Sequence, residues 1–94
     1  MKIVYKITYP NGKIYVGKDL TNNINYFGSA SRLLISEDFT DAERQSFGVV
    51  REVLWQSVEA SDREVHEVEL RYIRELCSNN PSIGYNRRPK WKPT

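Results

Sequence analysis

The sequence predicts an α/β fold in which a small three-stranded, mostly antiparallel sheet is flanked by helices. Three observations predict it. Two short runs of alternating β-branched and aromatic residues flank a Pro-Asn-Gly turn, a third apolar run begins at Val49, and a strongly amphipathic segment follows that run. The chain has 94 residues, which is enough for one domain with a small core.

The first two strands form a predicted hairpin over Lys2–Tyr9 and Lys13–Lys18. Pro10 suits the first central position of a type I turn, and Gly12 suits the left-handed residue of a three-residue bulged loop. A two-residue Asn-Gly turn is the alternative, but it requires an amide hydrogen at a position where proline has none. The bulged loop is therefore the turn that we expect.

The bulged loop sets the register of the hairpin. It pairs Tyr5 with Gly17, which places Tyr5 and Tyr15 on the same sheet face as diagonal neighbours. The two-residue turn would place the two tyrosines on opposite faces. We expect the shared tyrosine face to be the one that meets Glu69, a residue of the predicted helix.

The middle of the chain alternates between loop and short regular segments. Asp19–Phe27 is polar and rich in asparagine, which predicts a loop. A short capped helix is predicted over Arg32–Ile35, and a helical turn is predicted after Asp41. The third strand is predicted over Val49–Val58, although its alternation of polar and apolar residues is imperfect.

The strongest predicted helix is capped by Ser61 or Asp62 and extends to about Cys77. At 100° per residue, one face of this helix is apolar and consists of Val65, Val68, Tyr72, Ile73 and Leu76. Glu69 projects from the middle of that face. A carboxylate that faces a core costs several kcal/mol unless it is paired or binds a metal. Two readings follow, a structural ion pair with an arginine or a metal ligand, and His66 is either a second ligand or simply packed.

The charge distribution favours a polyanionic partner. Residues 1–36 carry five basic residues and one acidic residue, residues 37–75 carry five arginines and eleven acidic residues, and residues 76–94 carry four basic residues and no acidic one. A basic start and a basic end around an acidic middle suit a polyanion that touches one face. The alternative is that these charges only keep a small domain in solution.

Composition also excludes several classes. No run of 18 apolar residues occurs, and the first residues lack the apolar stretch of a signal peptide, so we expect no membrane contact and a cytoplasmic location. Cys77 is the one cysteine, which excludes an intrachain disulfide and a cysteine-based zinc site.

Ile3-Val4-Tyr5, then nine residues, then Tyr15-Val16-Gly17 resembles the paired signature of the GIY-YIG nuclease family. Further matches follow in the same order over residues 3–86. Tyr26-Phe27-Gly28-Ser29 and then Arg32 resemble the loop and first helix of phage-encoded homing-type members, and Glu69, Tyr72-Ile73-Arg74-Glu75-Leu76 and Gly84-Tyr85-Asn86 resemble the glutamate helix and the closing asparagine segment. Two features depart from the family pattern. Ile3 replaces the first glycine, and Arg32, 15 residues past Gly17, comes late for the family's helix arginine.

The resemblance implies a metal-dependent DNA endonuclease, homing-type or from a mobile element, with residues 1–86 as the nuclease domain and 87–94 as a basic tail. It assigns catalysis to Tyr5, Tyr15, Arg32 and Glu69. Glu69 would hold Mg²⁺ or Mn²⁺, and Arg32 would stabilise charge on the phosphate. One tyrosine would activate water and the other would position the phosphate, with the division left open. The predicted DNA-binding residues are Lys18, Asn86, Arg87 and Arg88.

Other interpretations of the same residues stay open. Tyrosines in strands are most often packing residues, and Gly17 can simply mark a strand end. Trp55 and Trp91 could stack on bases, although one core residue and one tail anchor is the interpretation that we expect. At the level of function, the rivals are a catalytically inactive DNA-binding module of the same fold and an interaction domain that uses the acidic middle segment.

Overall fold

The structure is a computed structural model that describes residues 1–20, 38–40, 42–43 and 48–92. Its elements are strand β1 over Lys2–Thr8, strand β2 over Ile14–Asp19, strand β3 over Val50–Ser57 and helix α1 over Asp62–Leu76. The strands form one sheet in the order β2-β1-β3, and both pairings are antiparallel. The predicted three-stranded sheet is confirmed, with one helix described beside it.

The β1–β2 hairpin has the predicted three-residue bulged turn. The Tyr9 amide donates to the Lys13 carbonyl and the Gly12 amide donates to the Tyr9 carbonyl, both at 2.9 Å. Gly12 has a φ of 85°, the left-handed conformation that glycine adopts without steric cost. Tyr5 therefore pairs with Gly17, and the predicted register is confirmed.

Strand β3 pairs with β1 through a register shift. Val4 lies opposite Trp55 while Tyr5 lies opposite Val53, so Leu54 is the extra residue of a bulge. This bulge explains the imperfect alternation in the sequence of β3, because a bulge reverses which side chains face each side of the sheet. On one side of it Arg51 pairs with Ile7 and faces the same way as Tyr5.

Helix α1 begins with a capping box. Ser61 is the N-cap, its hydroxyl accepts from the Glu64 amide, and the Glu64 side chain accepts from the Ser61 amide. Between the two predicted caps, Ser61 is the one used. The helix ends at Leu76, and its C-cap is Cys77, whose φ of 55° is left-handed. Both ends lie where the sequence predicts them.

The two faces of the sheet carry separate apolar clusters. The cluster that we call the tyrosine face consists of Ile3, Tyr5, Ile7, Tyr9, Phe39 and Tyr85, with Tyr15 and Val49 against it. The helix face consists of Val4, Val16, Ala60, Val65 and Ile73, with Trp55, Val68, Tyr72 and Leu76 against it. Helix α1 therefore packs on the side opposite Tyr5, because odd and even residues of β1 point to opposite sides.

Three predictions fall in or next to the middle segment. The predicted loop over Asp19–Phe27 starts one residue too early, since Asp19 ends β2, and its residues 21–27 lie outside the described residues. The short helix over residues 32–35, and Arg32 with it, lies outside the described residues. After residue 41, Ala42 and Glu43 are helical. A second capping box precedes them, since the Thr40 amide donates to the Glu43 carboxylate at 3.0 Å and the Glu43 amide donates to the Thr40 hydroxyl at 3.1 Å. This bears out the helical turn and identifies Thr40 as its cap.

The segment after α1 returns to the sheet and covers the outer edge of β2. Ile14 and Gly84 form an isolated parallel bridge, in which the Tyr85 amide donates to the Ile14 carbonyl at 2.9 Å. A side chain at Gly84 would collide with the backbone of Ser78 and of Ile14, so the close approach requires glycine. The bridge therefore covers one end of the outer edge of β2, and the other end of that edge lies next to helix α1.

Candidate functional site

The hairpin brings the two signature tyrosines to one glycine. Tyr5 is completely buried, and Tyr15 packs partly buried on the same face. A Cβ atom on Gly17 would lie 2.5 Å from the Tyr5 hydroxyl oxygen and 3.0 Å from Cε2 of Tyr15. Gly17 is therefore more than a strand end, because its missing side chain is the space in which the Tyr5 hydroxyl lies.

Glu69 lies in the apolar face of α1 with a side chain that is only 15% exposed. Burial raises the pKa of the Glu69 carboxyl above its ordinary value of 4.5, and the positive charge of Lys18 lowers it in part. In the part of the chain that the structure describes, no arginine lies within ion-pair distance of this carboxylate. The structural pairing with an arginine, one of the two readings of the sequence, is not found there.

Lys18 and His66 form the polar wall beside Glu69. Lys18 Nζ lies 3.0 Å from His66 Nδ1, and an ammonium group can only donate hydrogen bonds. Nδ1 therefore accepts in this arrangement, which places the ring N–H on Nε2. The same Nδ1 lies 3.6 Å from Glu69 Oε1, beyond a hydrogen bond. The Nδ1 lone pair is thus occupied by Lys18 and not free to bind a metal.

Tyr15 and Glu69 share a cavity of about 450 Å³ at the edge of β2. Asn86, Arg87 and Arg88 line the same cavity, so five of the eight predicted catalytic and DNA-binding residues meet here, and His66 lines it with them. They come from three parts of the chain, namely the sheet edge, the helix and the segment that follows it. Two exposed guanidinium groups beside one carboxylate and one phenol are the groups that a phosphate and a divalent ion would require.

Tyr5 does not line this cavity, which corrects one expectation. The tyrosine face was expected to meet Glu69, whereas α1 packs on the opposite face through Val65 and Ile73. Tyr15 reaches the cavity because β2 is an edge strand, around which a side chain from one face and a helix from the other can meet. Tyr5 stands behind Tyr15, on the central strand β1.

Asn86 binds the sheet edge with both ends of its amide. The Val16 amide donates to Asn86 Oδ1 at 2.8 Å, and Asn86 Nδ2 donates to the Val16 carbonyl at 2.8 Å. These two bonds satisfy the outward-facing backbone groups of an edge strand. One hydrogen on Nδ2 and one lone pair on Oδ1 remain for a ligand, so Asn86 fixes the cavity wall first and has only these groups left for a further contact.

Arg51 is a candidate that the sequence reasoning missed. Its side chain is 16% exposed, its guanidinium carbon lies 4.9 Å from the centre of the Tyr5 ring, and Nη2 lies 4.0 Å from Asp19 Oδ2. Nε and Nη2 are buried and make no hydrogen bond within the described part of the chain. The sequence shows an arginine in the third predicted strand. Because the bulge in that strand interrupts the alternation, the sequence does not show that Arg51 faces the same side as Tyr5.

A second polar cluster joins the hairpin turn to the last segment. Tyr85 donates to Asp38 at 2.7 Å, and Lys13 Nζ lies 2.8 Å from the same carboxylate. These two contacts lower the pKa of Asp38, while burial and the contact with Asp38 raise the pKa of Tyr85 to about 12. Tyr85 is therefore a neutral donor that ties the segment before Asn86 to the sheet.

One residue of the site, Glu69, is suited to bind a divalent metal ion. Within residues 1–20, 38–40, 42–43 and 48–92, no group of three or more histidine, cysteine, aspartate or glutamate side chains is placed to hold a metal. A site made of protein ligands alone, as zinc prefers, is not found in that part. Mg²⁺ binds through one or two carboxylates while water and phosphate oxygens complete its shell, and the lone carboxylate of Glu69 at an open cavity fits that mode.

No protein-family model, curated protein or solved structure matches this chain. Across the described residues, no helix is both long enough and apolar enough to cross a membrane.

Proposed function

We propose that this chain is a metal-dependent DNA endonuclease of the GIY-YIG type, which cuts phosphodiester bonds, acts in the cytoplasm and comes from a homing or other mobile element. The observation that carries the proposal is the cavity in which Glu69, Tyr15, Arg87 and Arg88 meet. A carboxylate that is mostly buried yet faces an open cavity without an arginine in the described part of the chain costs stability, and metal binding offsets that cost.

Hydrolysis of a phosphodiester needs an activated water, neutralisation of charge on the phosphate and support for the leaving oxygen. A divalent ion bound by Glu69 would supply Lewis acidity at the phosphate. Tyr15, Arg87 and Arg88 line the cavity. Tyr15 would donate a hydrogen bond to the phosphate from the cavity wall, and the two arginines would neutralise phosphate oxygens.

Tyr5 has a different part in this proposal. Its hydroxyl lies at Gly17, next to the Tyr15 ring, with the Arg51 cation over its own ring. Because Tyr5 is completely buried and does not line the cavity, its proposed part is to support the position of the Tyr15 ring, and Tyr15 is the tyrosine that can reach water in the cavity. Arg32, by its resemblance, remains the proposed residue for charge on the phosphate, and Lys18 sets the field around Glu69.

The experiment is nicking of supercoiled plasmid by Glu69→Gln. The substitution keeps size and helix propensity and removes the charge that would hold the ion. We expect an intact fold, stability equal to or above that of the native chain, and cleavage that falls by at least about 100-fold, since the metal contributes several kcal/mol to the transition state. Glu67→Gln, on the exposed side of α1, is the matched control and should cut normally.

Each outcome decides between the readings. A folded and fully active Glu69→Gln protein refutes the metal role. A loss of roughly 3–5 kcal/mol in stability would instead show that Glu69 is a structural ion-pair partner. Native protein that binds DNA in a salt-sensitive way without metal-dependent nicking is the inactive module, and protein that does neither supports the interaction domain.

A further inference from the structure

A second cavity of about 430 Å³ adjoins the candidate site and has a different character. Pro81 and Trp91 give it an apolar wall, and Arg87 and Lys90 flank that wall with positive charge. Its volume is within the roughly 300–1,000 Å³ that small-molecule sites occupy. Asn86 and Arg87 also line the Glu69 cavity, so the two cavities share part of their walls along the segment after α1.

The position of Trp91 is fixed by the residues before it. Asn79 Nδ2 donates to the Pro89 carbonyl at 2.7 Å, which ties the tail to the end of α1 two residues before the indole. Trp91 is partly buried and keeps an open surface toward the cavity. The tail is thus anchored in part by Asn79, and Trp91 contributes part of its surface to the cavity wall.

We propose that this second cavity binds one nucleobase of a DNA strand, stacked on Trp91, while the phosphates beside that base lie on Arg87 and Lys90. An aromatic ring flanked by cations is the arrangement by which proteins bind a single strand without reading its sequence. The inference rests on the proposed function for its ligand, and it assigns the nucleotide next to the scissile phosphate to the Trp91 side of the site.

The test uses the full chain in EDTA, so that no cleavage occurs, with two oligonucleotides of equal length. One is a thymidine oligomer, and the other carries abasic residues and so keeps the phosphates without the bases. We expect the thymidine oligomer to quench indole fluorescence and to bind more tightly than the abasic one. Trp91→Phe should abolish the quenching while it keeps most of the affinity, because a phenyl ring also stacks.

Trp91→Ala separates stacking from anchoring. Loss of one stacked base weakens binding by at least about fivefold, so we expect that loss for the thymidine oligomer and no change for the abasic one. Equal weakening toward both oligomers would mean that Trp91 only anchors the tail, and equal binding of the two by the native chain would exclude a base site even if the alanine variant does not fold. Base-dependent binding without plasmid nicking would support the base site and refute the nuclease activity. Plasmid nicking without any effect of the bases on binding would support the nuclease activity and refute the base site.

Discussion

Glu69 and Gly17 are the two residues whose surroundings constrain the site most. Glu69 places a carboxylate where water is partly excluded, and the positive charge of Lys18 opposes this effect. Gly17 leaves the volume that the Tyr5 hydroxyl and the edge of the Tyr15 ring occupy. Each residue therefore leads to a prediction in which a change of one charge or one methyl group has a measurable effect.

The raised pKa of Glu69 predicts how stability changes with pH. Below the ordinary value of 4.5 the carboxyl is protonated in both states, and between 4.5 and the raised folded value the folded state binds more protons. Stability contributed by this group is therefore lost as pH rises through that window. We expect the melting temperature of Glu69→Gln, relative to the native chain, to increase across the window and then level off.

Thermal melting of both proteins through the acidic range measures this, with Glu67→Gln to show the general effect of removing one carboxylate from α1. A difference in melting temperature between Glu69→Gln and the native chain that stays constant with pH would show that burial of Glu69 has no energetic consequence. In the native chain, plasmid nicking should fall as pH drops through the same window, because a protonated carboxyl cannot hold the ion.

Gly17→Ala should disturb both tyrosines at once. The new methyl group would lie 2.5 Å from the Tyr5 hydroxyl oxygen and 2.7 Å from Cζ, so the ring must move, although the backbone of β2 itself tolerates alanine. We expect a loss of about 1–3 kcal/mol in stability from overpacking and a larger proportional loss of nicking than of folded protein. Chemical denaturation and nicking at equal folded fraction measure the two, and unchanged activity would separate the Tyr5 position from catalysis.

At the scale of elements, the hairpin turn sets the register that places Tyr5 opposite Gly17. Gly12 carries the one left-handed φ of the described glycines, and a Cβ there would meet nothing within 4 Å. The conformation alone therefore makes Gly12 necessary. Gly48 is equally open but has no left-handed φ, which makes it a matched control.

Gly12→Ala should destabilise the protein by about 1–2 kcal/mol, the cost of a left-handed conformation for an alanine. Gly48→Ala should be neutral or stabilise by up to about 1 kcal/mol, since it reduces the freedom of the unfolded chain. Urea denaturation of both variants measures the contrast. Equal effects of the two substitutions would show that the bulged turn does not determine the stability of the hairpin.

At the scale of the whole molecule, charge is distributed so that the cavity mouth is basic while the net charge is only +2. Arg87 and Arg88 are exposed and line the Glu69 cavity. Arg63 and Arg71 are also exposed, but they pair with Glu67 and Glu75 along α1. Substitution of one pair or the other therefore tests whether DNA binds at a localised surface or through a general attraction to polyanions.

The double variant Arg87→Gln, Arg88→Gln and the control Arg63→Gln, Arg71→Gln both lower the net charge from +2 to zero. We expect the first to weaken DNA binding and to reduce the slope of log affinity against log salt by about 1.8, or ~0.9 for each lost phosphate contact. The control should change both quantities little. Titrations at several salt concentrations measure the slope, and equal changes would show that net charge alone drives binding.

The sequence by itself determined the features that local rules govern. Proline and glycine chemistry fixed the bulged turn and with it the pairing of Tyr5 with Gly17, and a capping sequence fixed the start of α1. Helical periodicity placed Glu69 within the apolar face, and its low exposure confirms that placement. The turn, the cap and the helical periodicity each depend on residues a few positions apart in the chain, so all the interacting residues can be identified from the sequence.

Only the tertiary structure decided which face of the sheet the helix covers and which side chains therefore meet. The helix packs opposite Tyr5, so Tyr15 alone of the two tyrosines reaches Glu69, and it does so around the edge of β2. The bulge in β3 places Arg51 over the Tyr5 ring. The side-chain amide of Asn86 forms hydrogen bonds with the backbone of Val16, 70 positions away along the chain. Such contacts depend on how elements pack, and the alternation within one strand does not specify which of its two faces a helix will cover.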